Sequence, residues 1–163
     1  MMKILDRYID ELLEKSTPQA PVWNIEKIRS GKPSKWNYID GCMIKAILEL
    51  YHIRKDERYL DFADKFIDYF VRDDGSIDSY NPEDYNIDNV NAGKTLFDLY
   101  KLTGKEKYRK AIDTVYSQVK NQPRIKAGNF WHKKIYPNQV WLDGLYMGQP
   151  FYMQYEVEYN NCK

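Results

Sequence analysis

The sequence predicts an all-α protein built from antiparallel helical hairpins. Three observations carry the prediction: apolar residues recur at helical spacing, one unit is used twice with its landmarks displaced by 49 positions, and no strand-like alternation persists. The first helix is expected from Lys3 to Lys15, where Ile4, Leu5, Tyr8, Ile9, Leu12 and Leu13 share one face and Asp6, Arg7, Asp10, Glu11 and Glu14 the other. Ser16 to Pro21 breaks it, and a polar connection is expected to run to about Ser34.

The repeat begins after Trp36. Leu50-Tyr51, Tyr59 and Asp64 return as Leu99-Tyr100, Tyr108 and Asp113. In each unit an apolar helix ends near the Leu-Tyr pair, a short turn follows (His52 to Glu57, Leu102 to Glu106), and a second helix runs on. Gly104 sits where a helix ends on a left-handed residue. The unit starts also repeat, as Ile39-Asp40-Gly41, Ile87-Asp88-Asn89 and Leu142-Asp143-Gly144, at intervals of 48 and 55. A last helix is expected from about Val140 to Tyr159. Long connections, Asp73 to Asn86 and Gln122 to Gln139, are rich in Gly, Pro, Asn and aromatics, and Gly128 to Tyr136 is the one weak candidate for a small hairpin. Short turns therefore lie at one end and long loops at the other, an arrangement that fits an open solenoid or a closed toroid of inner and outer helices.

The 163 residues suit one domain, 1–163, and 43% hydrophobic with 30% charged residues is ordinary for a globular chain. Aromatic content of 15% exceeds what a core needs and is compatible with carbohydrate binding. A net charge of +1, with Lys27, Arg29, Lys32 and Lys35 spread around Gly31 and Pro33, reads as a solvated loop and argues against a nucleic-acid partner. No apolar run approaches the roughly 20 residues of a membrane span, and the chain opens on a charged helix, so a cytoplasmic protein with no membrane partner is expected. Cys42 and Cys162 stand far apart with no Cys/His cluster, which indicates neither a disulfide framework nor a zinc site.

Loops held by a rigid scaffold carry function disproportionately, so the site is expected at the long-loop end. Trp23, Trp36, Trp131 and Trp141 lie there or in the N-terminal connection; His132 lies in a long loop, whereas His52 falls in a short turn at the far end. Asp40, Asp88 and Asp143 each sit near a helix start. One such aspartate is readily explained as a cap or a partner of the helix dipole, worth about 0.3–2 kcal/mol. Three at one end, with Trp and His beside two of them, point instead to Asp88 and Asp143 as a functional pair. A carboxyl serving as general acid at neutral pH needs burial against a ring and a second carboxylate to hold its proton, and Asp143 has Trp141 and Asp88 for these.

The run from His132 through Lys133, Tyr136, Trp141, Leu142, Asp143, Gly144 and Tyr146 to Met147, followed by Pro150-Phe151, resembles the signature of the unsaturated rhamnogalacturonyl hydrolases, glycoside hydrolase family 105. The likeness extends back through Ile87-Asp88-Asn89 over nearly the whole chain. It implies a partial six-hairpin α/α toroid acting on an unsaturated uronic-acid oligosaccharide without metal or organic cofactor. Asp143 would protonate C4 of the C4=C5 enol ether, and water would add at C5. The hemiketal would then open to release the neighbouring sugar. Asp88 would hold ring hydroxyls and tune Asp143, while His132 and Trp141 would contact the uronate. Trp36 would offer a further stacking face, Met147 would line the pocket floor, and Asp40 would join the convergent set of acids. Six hairpins need about twice this length, so the resemblance implies a truncated catalytic domain with low or no activity alone, whose open apolar face favours self-association. A non-catalytic sugar-binding half and a helical interaction scaffold are the alternatives.

Overall fold

The computed structural model describes residues 2–160. Cys162 lies outside them. Among the described residues there are seven α-helices: α1 (Met2–Lys15), α2 (Ile25–Ser30), α3 (Tyr38–Arg54), α4 (Glu57–Asp68), α5 (Ile87–Thr103), α6 (Glu106–Asn121) and α7 (Leu142–Tyr159), with a 3-10 turn at Pro82–Asp84. Helices α3 and α5 begin and end 49 residues apart, and α4 and α6 begin 49 apart, so the sequence repeat is a structural one.

The three helices that begin at the long-loop end, α3, α5 and α7, pack side by side as one layer, and α4 and α6 return behind them as the second. Central α5 packs against α3, α6 and α7, and eleven of its residues are buried, from Ile87 to Leu99. Its Val90, Leu96, Phe97 and Leu99 each contribute about 1.5–3 kcal/mol by burial. Close approach of α3 to α5 requires Gly41, where a Cβ would come within 2.6 Å of the Ala92 Cα. Helix α1 docks by Ile9 in the core and through ion pairs of Asp6 with Arg54 and Asp10 with Arg58.

The repeat solves the same turn twice with different residues. Gly104 takes the left-handed cap of α5 at φ 68°, as its position predicts, and Lys55 takes the matching cap of α3 at φ 55°; each N–H donates to the carbonyl of the Tyr four residues back, Tyr100 or Tyr51. Pro150 lies inside α7 and cannot donate to the Tyr146 carbonyl. Lys94 of α5 fills that vacancy, its Nζ donating to Tyr146 O at 3.2 Å while sitting 3.7 Å over the Tyr146 ring. Burial pushes the Lys94 amine down to about 8.

Two expectations need correction. The connection to Ser34 is not wholly irregular: Asn24 accepts from the Lys27 N–H and Gly31 ends the turn at φ 61°, which closes the short α2 between them. The expected hairpin over Gly128 to Tyr136 is instead two separate bridges, Arg124 with Phe130 around Gly128 and Lys133 with Tyr136. A third bridge, Val71 with Ile77 around Gly75, gives the first long loop the same opening turn.

Candidate active site

Two of the three helix-start aspartates are released from capping by a neighbour. Asn37 accepts from the Asp40 N–H and Asn86 from the Asp88 N–H, so the carboxylates of the first turns are free to face elsewhere. At α7 the cap position is Trp141, whose side chain makes no cap hydrogen bond.

Asp88, His132 and Asp143 converge: one side-chain donor atom from each lies within 4.8 Å of the others. The two carboxylates thus come from adjacent inner-layer helices, α5 and α7, with the imidazole of the long loop between them. His132 is 2% exposed. Its Nε2 lies 3.3 Å from Asp88 Oδ1 without hydrogen-bond alignment, and its ring stacks on Trp141 at 4.2 Å and 10°. Burial pushes the imidazole below its usual range; Asp88 and Asp143 oppose this and Lys133 reinforces it. Backbone bonds hold the ring there, since His132 O accepts from the Ile87 N–H and His132 N–H donates to Gln139 O.

Helix α7 reaches this loop because its facing side is Gly144 and Gly148. A Cβ on Gly144 would lie 3.3 Å from His132 Nδ1, and one on Gly148 would lie 2.8 Å from the Ile87 side chain. Trp141 keeps 41% of its surface exposed, stacks also on Tyr136 at 5.5 Å, and donates its indole N–H to Gln139 Oε1. The crevice beneath it, between His132, Ile87 and Gly144, measures about 20 Å³, room for one water and too little for a sugar ring. Access for anything larger is from the exposed side of the cluster, where Asp143 lies.

The expected site residues divide clearly. Asp88, Asp143, His132 and Trp141 come together. Met147 is buried in the core cluster rather than lining that crevice. Trp36 is no stacking platform: it is 3% exposed, packs edge-on to Phe70 and donates its indole N–H to Asn89 O. Asp40 turns to the N-terminal connection, accepting from Trp23 Nε1 at 2.8 Å and Asn37 Nδ2 at 2.6 Å, and its burial raises its pKa against these bonds. It is thus bound up in anchoring that segment. Asp143 was expected to be buried against a ring, and among the described residues it is exposed.

Sequence reasoning assigned no role to Lys133, whose ammonium sits 2.7 Å from Asp88 Oδ2. The Lys133–Tyr136 bridge closes the turn that carries it, and both the Lys133 ammonium and the His132 ring reach Asp88 of α5. The Asp88, His132 and Asp143 spacing is compact enough for a cation, but the Lys133 charge already occupies the Asp88 carboxylate and opposes one.

Residues 8–163 match the family model for Glycosyl Hydrolase Family 88. The unsaturated rhamnogalacturonyl hydrolase YesR of Bacillus subtilis (strain 168) is 24% identical over 125 residues, 73% of this chain and 34% of YesR. A solved glycoside hydrolase from family 105 of C. acetobutylicum ATCC 824 superposes with a TM-score of 0.74 at 50% identity, covering 77% of this chain and 35% of that one. The chain spans about a third of the length of each of these relatives. The two-layer helical arrangement is that of part of an α/α toroid.

Proposed function

Since the chain belongs to Glycosyl Hydrolase Family 88, we propose that it carries the acid pair of an unsaturated uronyl hydrolase, acting on a terminal 4,5-unsaturated galacturonic or glucuronic residue of a rhamnogalacturonan-derived oligosaccharide. The observation that supports this most is the convergence of Asp88 and Asp143 with His132 within 4.8 Å, stacked beneath Trp141. Asp143, on the exposed side, is the proton donor to C4. The electron pair of C4=C5 forms the new C–H bond, leaving a cation shared by C5 and the ring oxygen. Water adds at C5, the carboxylate of Asp143 recovers a proton, and the hemiketal opens with loss of the neighbouring sugar.

Asp88 is held by the Lys133 ammonium on Oδ2, with the His132 ring 3.3 Å from Oδ1, and its negative charge lies close to Asp143, where it can tune the acid. The exposed part of Trp141, 41% of its surface, supplies apolar contact for the sugar. A general acid at neutral pH also needs shelter from water. The described residues leave Asp143 exposed, so that shelter has to come from atoms they do not contribute. The same open side carries exposed Leu142, Leu145, Met153 and Val157, an apolar face of α7 suited to association with further helices.

The test is consumption of an unsaturated disaccharide, followed by the loss of ultraviolet absorbance of the conjugated double bond. The chain is assayed alone and mixed with a polypeptide carrying the relatives' remaining helices. Turnover is expected only in the mixture, and Asp143→Asn lowers it by about 100-fold or more. Undiminished turnover by Asp143→Asn would refute the assignment; sugar binding without turnover in any mixture would favour a non-catalytic sugar-binding role.

A further inference from the structure

We infer that Gln118 of the outer helix α6 and Gln122, the residue that caps its end, are positioning residues, a buried amide clamp that sets the His132 loop against the start of the Asp88 helix. Both are almost fully enclosed, at 1% and 4% exposure, one helical turn apart. The carboxamide of Gln122 donates twice, to Tyr85 O at 2.8 Å and to Trp131 O at 2.8 Å. It therefore joins the residue two before Ile87 to the residue before His132. Gln118 donates to Asn86 O at 3.1 Å and to Gln122 Oε1 at 3.1 Å, and accepts from the Tyr80 hydroxyl at 2.6 Å.

The chain of bonds has a consequence for geometry. Asn86 is the residue whose side chain caps α5 by accepting from Asp88 N, and Ile87 N–H donates to His132 O. With Tyr85 and Trp131 tied to one carboxamide, the first turn of α5 and the His132 backbone cannot slide past each other without breaking bonds in an interior where water cannot replace them. Tyr85 pays for its place with a left-handed backbone at φ 46°, a conformation that persists only where its surroundings impose it. Gln is suited to the task because one rigid amide presents two donors and an acceptor. Apolar residues would fill the same space equally well and take these donors away from three backbone carbonyls, of Tyr85, Asn86 and Trp131.

This rests on the site reading above, but its test uses no sugar, so the two can fail separately. Gln122→Met keeps length and volume without donors, and Gln122→Glu puts carboxylate oxygens against two carbonyls; Gln118→Met breaks the other arm. The readouts are amide exchange at Ile87 and His132, and the ring titration of His132 by NMR. That ring faces Asp88 from α5, Asp143 from α7 and Lys133 of its own loop, with Trp141 stacked on it. Release of the loop is expected to speed exchange at both amides by about tenfold or more while core α5 amides hold. The His132 midpoint should rise toward its ordinary value as the ring gains water. Folded variants with both amides and the His132 midpoint unmoved would overturn the clamp. Should none of the variants fold, the native chain decides. The clamp requires Ile87 and His132 amides protected about 100-fold or more beyond open loop amides, and exchange at loop rates would overturn it.

Discussion

Replacing Lys133 with Met removes one charge from the centre of the site and keeps most of the side-chain length. Lys133 and Asp88 side chains are 22% and 11% exposed, and their ion pair at 2.7 Å is partly sheltered. Stranding one member of a fully buried pair costs about 3–5 kcal/mol. Lys133 stands at the wetter side, where water can take over part of its role, so about 1–3 kcal/mol is expected at neutral pH. For a domain of this size that is roughly a 2–12 °C fall in Tm. The pH dependence carries a sign as well. His132 is held below its usual range, so the unfolded chain binds its proton first. Stability is complete above the ordinary imidazole pKa near 6.5 and is lost as pH falls through the depressed folded value. Lys133 is one cause of that depression, and its removal raises the His132 pKa, so the gap between mutant and parent should narrow on the acid side. Urea unfolding between pH 5 and 8, paired with NMR titration of His132, measures both. A mutant as stable as the parent at pH 7, or a His132 midpoint moving down, would refute the reasoning.

The two copies of the hairpin turn make a matched experiment: Lys55→Gly should stabilise, and Gly104→Lys destabilise, by about 0.5–1 kcal/mol each by denaturant unfolding, since glycine alone of the two takes φ near 60° without a Cβ penalty. Lys94 holds the carbonyl that Pro150 leaves unpaired, so Lys94→Met should cost about 1 kcal/mol less in a Pro150→Ala background than in the parent, read from a double-mutant cycle. With its amine lowered to about 8, Lys94 should also make stability rise between about pH 8 and its unfolded value near 10.4, a rise that Lys94→Met abolishes.

What was legible in the sequence followed from periodicity and from repetition. The starts of α3 and α5, the left-handed Gly104 and the separation of short turns from long loops were legible, whereas both helices run two or three residues into the turns expected from His52 and Leu102. The short α2 escaped because six residues carry too little periodicity to announce a helix, though Asn24 and Gly31 mark its two ends. Trp36 and Asp40 were misplaced for a different reason. Their chain positions do lie at the long-loop end, but the direction of a side chain around a helix start depends on what packs there. Here that is Asn89 and Phe70 for Trp36, and Trp23 for Asp40. The role of Lys133 was equally invisible, since a lysine beside a histidine becomes an ion-pair partner only once the Lys133–Tyr136 turn is folded.

The same distinction separates what this chain accomplishes locally from what it borrows. Asp88 and Asp143 meet because α5 and α7 are neighbours in one layer, with Gly144 and Gly148 allowing close approach and the His132 loop wedged at their common end. None of that needs a closed ring. Enclosure is another matter: a proton held on a carboxyl, or a cation at C5 guarded from stray water, depends on walls all round. On the proposed function, a site exposed on one side should recognise the sugar's face before it can process it. The separation is measurable, because sugar affinity should depend on Trp141 in the isolated chain, whereas turnover should depend on Asp143 only once the open side is covered.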